Sequence, residues 1–192
     1  MHLVVGLGNP GARYERTRHN VGFDAVDVLA DRHGASLAEK RFKARLGKGF
    51  IGSEAAWFIK PQTFMNLSGD SVGPAAGFYR VPVERIVVIH DDLDLPFGTV
   101  KVKSGGGHGG HNGLRDLVKK LPSPGFVRVR VGIGRPDGPQ DTASWVLSRW
   151  RPEQARLVPE LVERAADTVE SVLAVGVTDA MNRWNGEPPI QD

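Results

Sequence analysis

The chain has 192 residues, 40% of them hydrophobic, with a formal net charge of +3. This size suits one domain with a substantial core, and so mild a positive charge is by itself only a weak indication of nucleic-acid binding. No apolar run approaches the roughly 20 residues that span a bilayer, and the absence of cysteine excludes disulfides, thiolate metal sites and a cysteine nucleophile.

Apolar patterns along the chain predict strands that alternate with helices. The first strand has neither the basic region nor the longer apolar core of a secretory signal. Together with the lack of cysteine, this leads us to expect a cytoplasmic protein. In chain order the predicted elements are a strand over 2–7, a helix from 21 until Gly34, strands over 44–51 and 55–60, a helix from about 66 to 79, strands over 85–90 and 98–103, a glycine-rich loop over 104–113, a helix to about 121, a strand over 126–133, and a long helical stripe from Val158 to Leu173.

The alternation of strands and helices predicts an α/β fold in layers. The clearest strand is the continuous β-branched run that precedes His90, which is typical of a parallel strand covered on both faces. No repeat or long linker divides the chain, so we expect a single domain over residues 1–192 with a mostly parallel sheet. Its last residues, about 186–192, are expected to be a loose tail.

Polar clusters follow several predicted strands, where open α/β sheets usually place their ligands. A histidine near a carboxylate can activate water, and amide side chains can donate to a developing oxyanion, so the set suits ester hydrolysis without a covalent intermediate. Each residue alone is commonly a cap or turn residue, and only their shared placement favours a site. The clusters are Asn9 with Tyr14, His19 and Asn20; Asn66; the run from His90 to Asp94; and, in the glycine-rich loop, the run from His108 to Asn112.

Two other kinds of site stay open on the residues alone. The run from Gly6 to Gly11 matches the G-x-G-x-x-G dinucleotide fingerprint, but that fingerprint needs a helix at once and an acid after a second strand. Here the polar run 12–18 delays the helix, and Asp31 falls inside it. The alternative is a metal site, which lacks a His-Glu-x-x-His pattern. Its candidate ligands are His90, Asp91, Asp94, His108 and His111.

Basic residues recur two apart on two predicted strands. Lys101 and Lys103 form one pair and Arg128 and Arg130 the other, so each pair projects to one face of the sheet. An edge strand kept soluble by lysine would show the same pattern. The functional interpretation is a phosphate clamp beside the glycine-rich loop, whose backbone N–H groups could also face anions.

Five motifs resemble, in order and spacing, those of bacterial peptidyl-tRNA hydrolases over nearly the whole chain. Met181-Asn182-Arg183 also resembles the last helix of that family. The motifs are Val5 to Gly11 with Tyr14 and Thr17 to Gly22; Lys60 to Gly69; His90 to Pro96; Gly105 to Leu114; and Val131 to Pro136.

The resemblance implies a monomeric, single-domain, three-layer α/β hydrolase with a twisted, mixed, mostly parallel sheet between helices. It implies a reaction that cuts the ester bond between a peptide and the 3′ ribose of tRNA. It also implies that the chain uses no metal or cofactor, binds peptidyl-tRNA, and needs neither a membrane nor an obligate protein partner.

The resemblance also implies a role for individual residues. His19 is expected to be the general base that acts on water, and Asp91 to orient and polarise it. The chain departs from the family where Trp145 to Trp150 is richer in tryptophan than the family's lid segment. The expected substrate-binding residues are Asn9, Tyr14, Met65, Asn66, His111 and Asn112, and the residues expected to meet tRNA phosphates are Lys101, Lys103 and Arg130.

Two other functional classes remain as alternatives. One is a nucleotide-binding oxidoreductase, which would bind NAD. The other is a non-catalytic RNA-binding protein, in which His19 and Asp91 would be dispensable. Aromatic side chains are not interleaved with basic ones along a single predicted strand, which weakens the interpretation as a single-strand binder.

Overall fold

The computed structural model describes residues 1–191, in which strands and helices alternate as the apolar patterns predict. None of the helices described is sufficiently long and apolar for a membrane crossing. The strands are β1 (His2–Gly6), β2 (Glu39–Arg41), β3 (Ala44–Ile51), β4 (Glu54–Pro61), β5 (Ile86–Asp92), β6 (Val100–Ser104) and β7 (Val127–Gly132). The helices are α1 (Val21–Arg32), α2 (Gly69–Tyr79), α3 (Asn112–Lys120), α4 (Thr142–Val146), α5 (Pro152–Ala155), α6 (Val158–Val175) and α7 (Val177–Trp184).

The strands form one sheet in the order β2-β3-β4-β1-β5-β7-β6. The four central strands, β4, β1, β5 and β7, run parallel, whereas β2 and β3 at one edge and β6 at the other are antiparallel to their neighbours. Parallel neighbours need long crossover connections, which the helices supply. The predicted α/β class, with a mixed sheet and a parallel centre, is confirmed.

Helices cover both faces of this sheet. Helices α1, α6 and α7 pack on one face, and α2 and α3 pack on the other. Strand β5 shows the consequence, because Val87 and Ile89 enter the first core while Ile86 and Val88 enter the second, and all four are fully buried. The continuous apolar run was therefore a correct indication of a strand covered on both sides.

Strand β2 and helix α2 differ from the sequence prediction, and the short helices α4 and α5 were not predicted. Strand β2 consists of three exposed residues without an apolar side chain, so its sequence carries no strand signal. It forms because a two-residue turn, Phe42-Lys43, folds it back onto β3, with both residues at positive φ. Helix α2 begins at Gly69, because residues 65–67 form a separate 3-10 turn.

The outer edge of β6 is closed by one side chain from the end of α7. The Asn185 amide accepts a hydrogen bond from the backbone N–H of Val102 at 2.7 Å and donates one to the carbonyl of Val102 at 3.0 Å. An amide side chain therefore makes the two hydrogen bonds that a further strand would make there.

The expectation of a loose tail over 186–192 needs correction. Ile190 is 5% exposed, and its backbone N–H donates to the carbonyl of Gly98 at 2.9 Å. Arg164 donates to the carbonyl of Pro188. Composition predicted the lack of regular structure but not this docking, because one apolar residue among prolines carries no periodicity. Asp192 lies outside the described residues.

Candidate active site

A polar site lies at the carboxyl edge of the parallel strands. Strand β1 ends just before Asn9, and Asp91 is the penultimate residue of β5. His19 and His111 stand immediately before α1 and α3, so both rings reach the same sheet edge. Open α/β sheets bind their ligands at this edge.

A close approach of α1 to the strands brings His19 to this edge. A Cβ on Gly22 would lie 2.5 Å from the carbonyl oxygen of Ile89 and 2.7 Å from the backbone of Leu7, and one on Gly6 would lie 2.1 Å from the carbonyl oxygen of Gly22. Only glycine permits this contact. The 3-10 turn over residues 18–20 is thereby brought over the end of β5.

Two histidines share the carboxylate of Asp91, which is 2% exposed. The Nδ1 of His19 lies 2.8 Å from Oδ2 and 3.0 Å from Oδ1 of Asp91. The Nε2 of His111 lies 2.8 Å from Oδ1. Sequence analysis paired Asp91 with His19 and did not anticipate that His111 would bind the same carboxylate.

Hydrogen bonds assign the proton positions on both rings. The Nδ1 of His111 accepts from the backbone N–H groups of Gly113 and Leu114 at 3.1 and 3.2 Å, so its Nε2 carries the proton and donates to Asp91. His19 donates from Nδ1 to the same carboxylate. In the neutral ring the Nε2 of His19 therefore keeps its lone pair, and it has no hydrogen-bond partner within residues 1–191.

The electrostatics of the group follow from burial and the shared charge. Burial alone would lower the pKa of His19, but the charge and hydrogen bond of Asp91 outweigh it and raise that pKa above its ordinary value. Burial alone would raise the pKa of Asp91, but His19 and His111 hold it well below its usual range. Asp91 is thus a permanent anion at neutral pH.

A third histidine packs behind the other two. His90 is 2% exposed, its ring centroid is 5.1 Å from that of His111, and its Nδ1 donates to the carbonyl of Asp91 at 2.8 Å. Burial, with a contribution from His111, lowers the pKa of His90 to about 4. His90 is therefore neutral at physiological pH.

His19, Asp91 and His111 are also the one group among the described residues that could hold a metal ion, since one ligand atom of each lies within 4.8 Å of the others. These atoms are the same ones that join each ring directly to the carboxylate. An ion there would displace the hydrogen bonds that fix both tautomers. The wider metal set considered from the sequence is not brought together.

Hydrogen bonds from neighbouring residues hold the backbone and the side-chain oxygen of Asn9, and its side-chain NH₂ group remains available. The Asn20 amide brackets it, accepting from the backbone N–H of Asn9 at 2.8 Å and donating to its carbonyl at 2.9 Å. The Oδ1 of Asn9 accepts from the backbone N–H of Met65 at 2.7 Å. Within residues 1–191 its Nδ2 has no partner, so Asn9 can donate one hydrogen bond to a ligand.

A cleft of about 580 Å³ opens over Asp91 and the histidines around it. The residues that line it include the catalytic candidates and two of the basic residues: His19, Asp91, His111, Asn112, Lys103 and Arg130. The cleft thus combines the Nε2 of His19, the carboxylate of Asp91 that binds the other nitrogen of that ring, and the basic side chains of Lys103 and Arg130. It can accept a proton from a bound water molecule and hold a negatively charged ligand.

Comparison with known proteins identifies the family. The family model described as "Peptidyl-tRNA hydrolase" matches residues 3–191. A peptidyl-tRNA hydrolase of Chloroflexus aggregans is 47% identical over 186 residues, which cover 96% of this chain and 99% of the relative. A peptidyl-tRNA hydrolase of Geobacter sulfurreducens is 49% identical over 185 residues, which cover 96% of this chain and 95% of the relative. The crystal structure of the peptidyl-tRNA hydrolase from Acinetobacter baumannii is 40% identical and aligns with a TM-score of 0.92 over 99% of this chain and 97% of that one. The chain belongs to the peptidyl-tRNA hydrolase family.

The resemblance of the five motifs to this family is thus confirmed, and the enzyme class is hydrolase. The competing dinucleotide fingerprint lacks its structural context. Helix α1 begins only at Val21, and Asp31 lies within α1 rather than after a second strand.

The basic residues singled out from the sequence lie on one face of the sheet of this peptidyl-tRNA hydrolase family member. Lys101 pairs with Arg130 and Lys103 with Arg128 across β6 and β7, so all four side chains project to the α3 side. Lys103 is exposed, and the Nε of Arg130 donates to Asp92 at 2.8 Å. Lys101 is half-buried and is not among the residues that line the cleft.

The remaining predicted residues make fewer contacts, and Tyr14, Met65 and Asn66 are not among the residues that line the cleft. Tyr14 meets Phe64 edge to face at 6.4 Å. Asn66 is exposed and makes no hydrogen bond within residues 1–191. Asn112 is exposed, lines the cleft and accepts from Arg115 at 3.0 Å. Met65 is buried, with its sulfur against Gly113 at the start of α3.

Sequence reasoning missed three buried polar residues of this family member. Asn20 was grouped with the site but given no role, although it holds Asn9 from both sides. Arg128 is 2% exposed and donates to the carbonyls of Gly106 and Gly107, which ties the glycine-rich loop to β7. Arg18 is 1% exposed. The position of Arg128 within an apolar strand could have indicated that its side chain is buried. No feature of the sequence around Arg18 indicates that Arg18 is buried.

Proposed function

We propose that the chain hydrolyses the ester bond between a peptide, or an N-blocked aminoacyl group, and the 3′ ribose of tRNA. The observation that carries the proposal is the His19 ring, whose free Nε2 lines a basic cleft while Asp91 holds its other nitrogen. Membership in the peptidyl-tRNA hydrolase family supplies the substrate class.

In the proposed mechanism His19 accepts a proton from water through Nε2. The water oxygen then attacks the ester carbonyl carbon, which gives a tetrahedral oxyanion. When this collapses, the bond to the 3′ oxygen breaks and the imidazolium returns its proton to that oxygen, which releases the peptide acid and free tRNA. Asp91 stays ionised and stabilises the imidazolium.

The other groups of the site would bind and orient the substrate. The free Nδ2 of Asn9 suits the peptide or ester oxygen, Asn66 would help to hold the same region, and Tyr14 would stand near the substrate. Asn112 would place the water or donate to the oxyanion. Met65 would form part of the cleft wall. His111 would line the cleft and fix Asp91 through its Nε2–H.

The tRNA body would be bound by charge. Lys101, Lys103 and Arg130 lie on one face of the sheet, and Lys103 and Arg130 line the same cleft as His19. Contacts of this type go to phosphates and set register rather than sequence preference. We infer that the enzyme acts in the cytoplasm as a monomer, without an obligate protein partner, and that its chemical step uses no metal or cofactor.

Release of tRNA from N-acetyl-aminoacyl-tRNA, compared with unblocked aminoacyl-tRNA, tests the function. We expect the blocked substrate to be hydrolysed far faster, because the amide groups of the site can pair with a peptide group but would leave a free ammonium poorly satisfied. Equal rates on the two substrates would reject the proposed substrate class. Binding without any hydrolysis would favour a non-catalytic RNA-binding protein instead.

A further inference from the structure

The residue next to the proposed base is a buried arginine whose side chain reaches a distant part of the chain. The Nη1 of Arg18 donates to the carbonyls of Trp145 and Arg149 at 3.4 and 2.9 Å, and to the hydroxyl of Ser148. Its Nη2 donates to Oε1 of Gln154 at 3.3 Å. These partners lie more than 120 residues away in sequence.

The charge of Arg18 is stabilised without a carboxylate. Within residues 1–191 it forms no ion pair, and its guanidinium carbon lies 3.5 Å from the ring centroid of Trp145 and 5.5 Å from that of Trp150. Aromatic faces and carbonyl oxygens together compensate the cation. Burial, and then the neighbouring Arg151, lower the pKa of Arg18 to about 10, so it remains charged at neutral pH.

The backbone beside Arg18 makes the same connection. Its N–H donates to the carbonyl of Ser148 at 3.1 Å, and Thr17 forms an isolated β-bridge with Arg149. The segment over residues 141–150, which we call the cover segment, is thereby fixed to the turn that carries His19.

The cover segment also makes a hydrogen bond to another part of the chain, from the Trp145 indole N–H to the carbonyl of Gly134 at 2.8 Å. Within the segment, the Asp141 side chain caps α4 by accepting from the backbone N–H of Ser144 at 2.8 Å. Ala143 and Val146, which belong to the segment, line the same cleft as His19. The contacts of Arg18 therefore reach a part of the chain that forms a wall of this cleft.

We propose that Arg18 is a positioning residue that sets the cover segment against the cleft and so fixes the width of the substrate site. The inference rests on the proposed hydrolysis of N-blocked aminoacyl-tRNA. Lysine cannot replace arginine here, because a single ammonium cannot reach the Trp145 carbonyl and Gln154 together while stacking on an indole.

The test combines kinetics with hydrogen exchange. Arg18→Lys should raise KM for N-acetyl-aminoacyl-tRNA at least about fivefold and lower kcat much less, because the His19–Asp91 pair does not include its side chain. The acid limb of the pH profile should stay where it is. Amide exchange in residues 141–150 should accelerate, while that in α6 should not.

Arg151→Lys is the matched control. Arg151 also stacks over Trp145, at 5.3 Å, but its side chain is 43% exposed, and within residues 1–191 its one ion pair is with Asp137. We expect this variant to keep the KM and the exchange pattern of the wild type. If Arg18→Lys fails to fold, Trp145→Phe weakens the same clamp and should shift KM and exchange in the same direction, by less.

Two results would overturn the inference. One is a KM within about twofold of wild type together with unchanged exchange in residues 141–150. The other is faster exchange throughout the chain, α6 included, which would make Arg18 a general stabiliser of the fold. Failure of the proposed function would appear separately, as an inactive wild type. The exchange measurement does not depend on activity and still decides whether Arg18 holds the cover segment.

Discussion

Asp91 determines what each neighbouring histidine can do. Its two carboxylate oxygens accept from His19 and His111 together, and neither ring has another acceptor for those protons within residues 1–191. His111 is further constrained because its second nitrogen caps α3. Of the two, only His19 has a nitrogen free to take a proton, which distinguishes the proposed base from its neighbour.

His19→Ala should remove nearly all turnover and leave substrate binding largely intact. A positioned general base contributes about 10² to 10⁴-fold to rate, and the proposed phosphate contacts do not involve this ring. Single-turnover kinetics and filter binding measure the two effects. His33, which pairs with Glu170 on the remote α6 side, supplies the control His33→Ala with unchanged rate. A near wild-type kcat in His19→Ala would show that the assigned mechanism is wrong.

Asp91→Asn should move the acid limb of kcat/KM to lower pH and slow the reaction less than His19→Ala does. The base must be neutral, so activity rises with pH through the pKa of His19, which Asp91 holds above 6.5. Without the anion, burial is left to lower that pKa. An amide also offers only one acceptor oxygen to two ring N–H donors. A pH–rate profile that did not move would refute this account of Asp91.

The close packing of α1 against β1 and β5 determines the position of His19, the proposed general base. Gly22→Ala should lower the free energy of unfolding by about 1–3 kcal/mol, because the added Cβ meets backbone atoms that cannot rotate away. Gly77→Ala in α2 is the matched control, since a Cβ there meets nothing within 4 Å. It should be neutral, or stabilising by up to about 1 kcal/mol. Urea unfolding of both variants measures the difference, and equal stabilities would contradict the tight junction.

Elements with their own apolar pattern could be predicted from the sequence. Strand β5 is a continuous β-branched run, and α6 has an apolar stripe over its whole length, so both were recognised locally. Strand β2 and helix α5 could not be recognised, because their residues are exposed or nearly so and owe their conformation to neighbours.

Part of the site could likewise be predicted from the sequence, and part could not. His19 and Asp91 could be paired from motif resemblance, and the close packing of α1 on β1 and β5 explains why the turn with His19 meets the end of β5. The sharing of Asp91 by His111 and the burial of Arg18 depend on contacts between segments far apart in sequence. No local pattern of residues reports such contacts, which is why these two features emerged only with the structure.

For the molecule as a whole, the distribution of charge matters more than its total of +3. Two cross-strand pairs, Lys101 with Arg130 and Lys103 with Arg128, place four cations on one face. Arg128 is buried against the glycine-rich loop, which leaves the other three closer to solvent. A modest net charge is therefore compatible with a local site for a polyanion.

Lys103→Ala and Arg130→Ala should each weaken tRNA-substrate binding and make its salt dependence shallower by about one unit of log–log slope. Stability should change by no more than about 0.5 kcal/mol for the exposed Lys103. The measurement is kcat/KM across a salt series, on full-length substrate and on an N-acetyl-aminoacyl adenosine that lacks the tRNA body. Only the full-length substrate should respond.

Lys48→Ala serves as the control, because Lys48 is an equally exposed lysine on β3 near the opposite edge of the sheet. It should leave the salt slope unchanged. Equal losses on the two substrates, or an unaltered slope in Lys103→Ala and Arg130→Ala, would reject the phosphate clamp.

The pairing of Asn185 with Val102 has a consequence for biosynthesis. The two residues are 83 positions apart, so the ribosome completes β6 well before it adds the side chain that closes the edge of that strand. During this interval the Val102 amide and carbonyl are open to any extended chain nearby, a nascent neighbour on the same messenger included. The edge of β6 is therefore protected only late in synthesis. A chain that ends before Asn185 leaves the backbone groups of Val102 free to pair with a further strand.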